Sequence, residues 1–226
     1  MTPPIACAIA AMVVLAAGTL LALAWSSSYR VAYAIGVATL VGAFALVICL
    51  AARLVAGGAP AMATLATLPA FKGTVSVYVD GLTLLLLLML LLVGLLSAVF
   101  SFRYIRALRR RPAGRFYSVL LLLVLAMAGV LLAGDLLMFF AAWELMSLPA
   151  FLLILHEDRR PEKVRAAMKY LILNGIGGIG MLLAILMIYK YFFCRKICPT
   201  FILQTHINVK ESSLISRFSF DNHFNN

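Results

Sequence analysis

"LLMFFAAWELMSLPAFLLIL", residues 136–155, runs for 20 residues with one ionisable side chain, Glu144, near its middle. A helix needs about 20 predominantly apolar residues to cross ~30 Å of hydrocarbon, so this stretch has the length and composition of one membrane span. The rest of the chain has the same character. It holds 226 residues, 65% hydrophobic and 12% charged, with a mean hydropathy of +1.07. Those values exclude a water-soluble domain. Comparable apolar runs cover 5–25, 31–55, 82–102, 116–134 and 170–189. None alternates with period two over strand length, which argues against a β-barrel. The expected fold is all-α, a polytopic transmembrane helix bundle of about six spans in a lipid bilayer.

The first run is not expected to be a cleaved signal peptide. "MTPPIACAIAAMVV" has no Lys or Arg ahead of its apolar stretch, and that stretch is too long for a signal core. It should stay as a span.

A net charge of +11 raises nucleic acid as a partner, but the positions of the charges argue for topology instead. "RYIRALRRRPAGR" (103–115) holds six arginines between spans three and four, and "HEDRRPEKVRAAMK" (156–169) holds five Lys or Arg between spans five and six. With alternating spans both segments share one side, and the excess of Lys and Arg makes that side cytoplasmic. The N-terminus is then outside, in a plasma (inner) membrane, and no nucleic-acid partner is expected. The long 56–81 connection, charged only at Lys72 and Asp80, also falls outside.

Cys7 and Cys49 lie inside spans, where a thiol packs as a small apolar group. Cys194 and Cys198 form one C-x3-C without a second pair, too little for a metal site. Composition changes near residue 190. All 15 glycines and every alanine precede it, and the tail favours Phe, Ile, Lys, Asn and Ser. Residues 1–189 are therefore read as the transmembrane bundle, and 190–226 as an atypical tail of frame-shifted or foreign origin.

Glu144 is the residue with chemistry. Held ~13 Å along its helix, it lies near mid-membrane, where an acid costs about 2.5–3.5 kcal/mol on insertion scales. A carboxyl kept there at that cost can take up and release a proton as its surroundings change, which a relay requires. Pro149 removes the amide that would bond the Leu145 carbonyl, leaving a free acceptor and a kink beside the acid. Trp143 reads as packing. Asp135 after Gly134, and Asp80 in "VDGL", read as helix N-caps. Lys169, at the start of span six, and His156, at the end of span five, are accessory candidates for proton transfer from the cytoplasmic side. "NGIGGIG" (174–180) fits G-x-G-x-x-G, yet it lies within a span and not between a strand and a helix. It reads as small residues that let helices approach, not as a nucleotide fingerprint.

Three stretches carry a resemblance: "YVDGLTLLLLLMLLLVGLLSAVFSFRYI", "GDLLMFFAAWELMSLPAFLLIL" and "AAMKYLILNGIGGIG". In order and without gaps from about residue 75 to 189, they resemble the antiporter-like, proton-conducting membrane subunits. Those occur in NADH:quinone oxidoreductase (complex I subunits M, N and L), hydrogenase-4 and formate hydrogenlyase, and Mrp-type Na⁺/H⁺ antiporters. The resemblance implies the N-terminal part of a 14-span fold with two inverted five-span repeats, the first opening at 116–134. It places Glu144 at the family's key acid, paired in relatives with a lysine on a broken seventh helix. That helix and its lysine are absent here, and no Lys or Arg lies in the core of a span. The expected function is that of a proton-translocating subunit of a redox-driven complex, in truncated form. It would not be catalytic alone, would hold no cofactor or metal of its own, and would have the other membrane subunits of a complex I or hydrogenase assembly as partners. A Mrp-type cation/proton antiporter component and a non-conducting membrane scaffold are the alternatives.

Overall fold

The computed structural model describes residues 3–56, 61–68, 73–107, 114–157 and 161–221, with side chains in the interior of these segments. In chain order they form α1 (Pro3–Ala24), α2 (Tyr29–Val55), β1 (Ala61–Leu68), β2 (Gly73–Val79), α3 (Gly81–Ala107), α4 (Gly114–Leu132), α5 (Leu136–Glu157) and α6 (Pro161–Asp221). Each of the six helices carries a stretch long and apolar enough to cross a membrane: Ile5–Ala24, Tyr29–Val55, Gly81–Arg103, Arg115–Leu132, Leu136–Leu155 and Pro161–Tyr191. The protein is a polytopic helical bundle. It forms two compact units, Met1–Ile179 and Gly180–Asn226. The second is the continuation of α6. Its side chains are described only as far as Tyr191, so nearly all of the 190–226 tail, Cys194 and Cys198 included, lies outside the described side chains.

The core of the first unit lies among α1, α2, α3 and α4, where Leu15, Leu40, Leu50, Leu91, Leu121 and Tyr117 are fully buried. Lipid is as apolar as leucine, so association of these helices depends on close packing and interhelical hydrogen bonds. The buried faces accordingly carry Ala8, Ala11, Ala22, Ala32, Ala43, Ala98 and Ala128. Gly18 on α1 marks the tightest approach, because a Cβ there would overlap the side chain of Thr39 on α2. Two threonine hydroxyls bond within their own helices: Thr19 donates to the Leu15 carbonyl (2.7 Å) and Thr39 to that of Ile35 (2.7 Å). Ser118 donates to the Thr19 carbonyl at 3.2 Å, tying α4 to α1. Gly18→Val is expected to destabilise the bundle by about 1–3 kcal/mol through overpacking. Thermal unfolding in detergent would show it as a lowered midpoint.

One element was not legible as structure in the sequence. The 56–81 connection contains an antiparallel hairpin, paired from Ala61↔Val79 to Leu68↔Gly73 with an irregularity between Thr64 and Ala66. "TVSVYV" (74–79) has strand-forming residues, but both Ser76 (0% exposed) and Val77 (4%) are buried, so the usual alternation fails. The reason is a third partner. Val77 bridges to Ala133, and the Gly134 amide donates to the Ser76 carbonyl at 2.8 Å. The hairpin thus rests on the α4–α5 turn. This places the end of α2, the start of α3 and the α4–α5 turn on one side of the bundle. The end of α3, the start of α4 and the end of α5 share the other.

An aromatic cluster closes that other end. Tyr29 stacks on Phe102 (5.4 Å between centroids), Tyr33 packs on Phe102 (4.5 Å), and Tyr117 lies edge-on to Tyr33 (5.6 Å). The Tyr29 hydroxyl donates to the Phe102 carbonyl at 2.5 Å. Such rings, apolar in body and polar at the tip, suit a membrane interface.

At the opposite end Asp80 caps α3, accepting the Thr83 amide at 2.7 Å. The side-chain and backbone hydrogen bonds from Thr83 hold its carboxyl below the ordinary 3.8. Because the folded value is the lower one, its contribution is present above 3.8 and is lost as pH falls through the folded value. Acidification through this range should loosen the first turn of α3, read as faster amide exchange at Thr83. The same treatment of Asp80→Asn should show no such pH step.

Candidate functional site

Helix α5 begins at a firm cap. Asp135 Oδ1 accepts the Met138 amide at 2.8 Å, the bond that satisfies one of the orphan donors of the first turn. Its other oxygen, Oδ2, accepts the Ser76 amide at 2.9 Å and faces the Ser76 hydroxyl at 3.4 Å. Asp135 is therefore a cap, as its sequence context predicts, and also the residue that fastens the hairpin to α5. From this fixed point the helix rises 1.5 Å per residue, which sets Glu144 ~13 Å along its axis.

Around Glu144 the helix is irregular for identifiable reasons. Pro149 lies inside α5 with its side chain fully buried. It cannot donate to Leu145, so the backbone ladder is one bond short next to the acid. Ser147, buried, donates its hydroxyl to the carbonyl of Glu144 itself at 2.7 Å. Trp143 stacks on Phe139, centroids 6.0 Å apart and planes 28° apart.

The Glu144 side chain points at α6. Its Oε1 is buried and has no hydrogen-bond partner among the described residues. A Cβ on Gly178 would overlap that oxygen and come within 3.1 Å of Cδ. Gly178 is buried, whereas a Cβ on Gly175 or Gly177 would meet nothing within 4 Å. Of the three, only Gly178 faces the acid. The sequence reading of "NGIGGIG" as close-approach residues holds at this one position, and what approaches is a carboxyl.

The other candidates are not brought to it. Lys169 is exposed. It lies nine residues before Gly178, ~13 Å along α6, and at 100° per residue on the opposite face of that helix. His156 falls in the last turn of α5, and its side chain lies outside the described residues. Ionisable side chains are sparse in the neighbouring spans. Between Lys169 and Lys190, α6 has only Tyr170 and Tyr189, and α4 beyond Arg115 has only Tyr117. Among the described residues no group of three or more His, Cys, Asp or Glu is placed to hold a metal ion. The half-buried Glu144 thus has one carboxyl oxygen, Oε1, with an unfilled hydrogen-bonding valence among the described residues.

Residues 133–211 match the family described as NADH:quinone oxidoreductase/Mrp antiporter, TM, a stretch that contains Glu144 and Gly178 and continues past Lys190. The chain is 34% identical over 131 residues to the Na(+)/H(+) antiporter subunit A1 of Staphylococcus aureus strain RF122 / ET3-1, covering 58% of this chain and 16% of that protein. The subunit from strain Newman gives the same identity and coverage. In fold, 80% of the chain superposes on 27% of a chain of the membrane-bound sulfane sulfur reductase, an archaeal respiratory membrane complex, with a TM-score of 0.66 at 23% identity. The chain thus spans a small fraction of the length of these relatives. In its multi-pass bundle, its matched stretch 133–211 and its 34% identity to antiporter subunits, the chain is similar to the antiporter-like membrane subunits.

Proposed function

We propose that this chain carries protons within a multi-subunit membrane assembly, with Glu144 as the group that takes and gives the proton. The observation that carries the reading is the Glu144 carboxyl itself, buried at Oε1 without a hydrogen-bond partner among the described residues. In hydrocarbon an unpaired polar atom costs free energy, and a proton-exchanging role accounts for keeping one there. His156 and Lys169 act at the membrane surface, handing protons toward the acid through water. The N-terminus lies outside a plasma membrane, with the segments 103–115 and 156–169 on the cytoplasmic side.

Two assemblies fit. One is a redox-driven complex of the NADH:quinone oxidoreductase or hydrogenase type, supported by the fold shared with a respiratory complex. The other is a cation/proton antiporter, supported by the 34% identity to antiporter subunits. In either case the chain works with other membrane subunits. The test is proton uptake by vesicles carrying the chain with its neighbouring subunits, wild type against Glu144→Gln, with and without sodium. Loss of uptake in the variant supports the reading, and equal uptake overturns it. Sodium-dependent uptake selects the antiporter; uptake driven by an electron donor selects the redox complex.

A further inference from the structure

The geometry points to Gly178 as the positioning residue for the Glu144 carboxyl, an inference that rests on the proton-carrying reading above. A helix that meets a glutamate side chain ordinarily meets it with side chains of its own. Here α6 offers none at the point of contact. A Cβ at Gly178 would overlap Glu144 Oε1 and press on Cδ at 3.1 Å, so the carboxyl occupies the space that any other residue at 178 would fill. The neighbours argue that this is placement and not general looseness. Gly175 and Gly177 have open space where a Cβ would stand, and so could carry a side chain without collision. Gly178 alone of these three is buried.

The consequence is chemical. With Oε1 seated in this notch against the α6 backbone, that oxygen is buried and the carboxyl is held in one orientation. Asn174, half-buried, lies one turn earlier on the same face of α6. It is the polar, non-ionisable side chain of α6 nearest to Gly178 in sequence. A proton reaches or leaves Glu144 along the path this seating defines. Filling the notch with a single methyl group displaces the acid by about a bond length, and a misplacement of ~1 Å costs a proton-transfer or positioning step on the order of 100-fold.

The experiment uses the full chain in proteoliposomes for spectroscopy, and vesicles with its neighbouring subunits for flux. The infrared C=O band of a protonated carboxyl is titrated with pH and assigned to Glu144 by its loss in Glu144→Gln. Gly178→Ala should shift both the frequency and the midpoint of this band and reduce proton flux about 100-fold. Gly177→Ala should do neither. Shortening the acid in the double variant Glu144→Asp/Gly178→Ala should return the band to that of Glu144→Asp alone. If Gly178→Ala fails to accumulate, Glu144→Ala/Gly178→Ala decides: recovery shows that the carboxyl was what the methyl struck, and continued failure overturns the inference. A Gly178→Ala band and flux indistinguishable from those of Gly177→Ala overturn it as well. Failure of the underlying reading looks different, since Glu144→Gln would then leave flux unchanged while Gly178→Ala still shifts the band.

Discussion

Glu144→Gln is expected to lower proton flux by about 100-fold or more while leaving the protein's abundance in membranes unchanged. Removing a positioned proton donor or acceptor typically costs about 10²–10⁴-fold, and this is the one acid in the span Leu136–Leu155. The substitution is nearly isosteric, so the side chain still fills the space over Gly178 and the helix contact survives. What disappears is the exchangeable proton. Glu144→Asp tests the complementary point. It keeps the acid and withdraws it by one methylene from α6, so a loss smaller than that of Gln but larger than zero is expected. A pH-sensitive dye trapped inside vesicles measures both. Wild-type flux in Glu144→Gln would reduce the residue to a packing element.

Asp135→Ala is expected to be the most damaging change to stability among those considered. It removes the cap on the Met138 amide, worth about 0.5–2 kcal/mol, and strands the Ser76 amide, a buried donor whose loss of partner costs about 1–3 kcal/mol. Ser76 is fully buried, so water cannot replace the carboxylate there. The combined effect is about 2–4 kcal/mol, with loss of the hairpin from the bundle as its structural signature. Asp135→Asn separates the two bonds. Its amide oxygen can still cap α5, as Asn does well, but its NH2 group cannot accept from Ser76. A destabilisation close to half that of Ala is therefore expected, measured by thermal unfolding in detergent. Limited proteolysis within 56–80 should accelerate in both variants. Equal stability of all three proteins would mean that the hairpin is held by its apolar contacts alone.

Much of this protein was legible before any coordinates. Span length and hydropathy are properties of consecutive residues, and they place the apolar stretches of five helices within a few residues of where they occur, because a bilayer forces every backbone group into local hydrogen bonds; α6 begins at Pro161, nine residues before its expected span. The N-caps at Asp80 and Asp135 are local in the same sense: each is an acid ahead of an apolar run, bonding an amide three residues on. The cost of an acid in hydrocarbon picks out Glu144 from one line of sequence. The hairpin at 61–79 was missed because its pairing is not local. Its second strand takes its burial pattern from the α4–α5 turn nearly sixty residues away, through Ser76 and Asp135.

The rotational register of the helices was likewise beyond the sequence. Four glycines in "NGIGGIG" look equivalent when read along the chain, and nothing in their order says which one meets another helix. Packing of α6 beside α5 decides that it is Gly178, and that its partner is the carboxyl of Glu144. The same packing turns Lys169, an attractive partner by charge, to the opposite face of α6 and about two and a half turns away. Local chemistry thus determined which residues enter the membrane and which one of them is an acid. The tertiary structure decided what that acid faces, because helix rotation is fixed by close packing between elements and leaves no trace in the periodicity of either one alone.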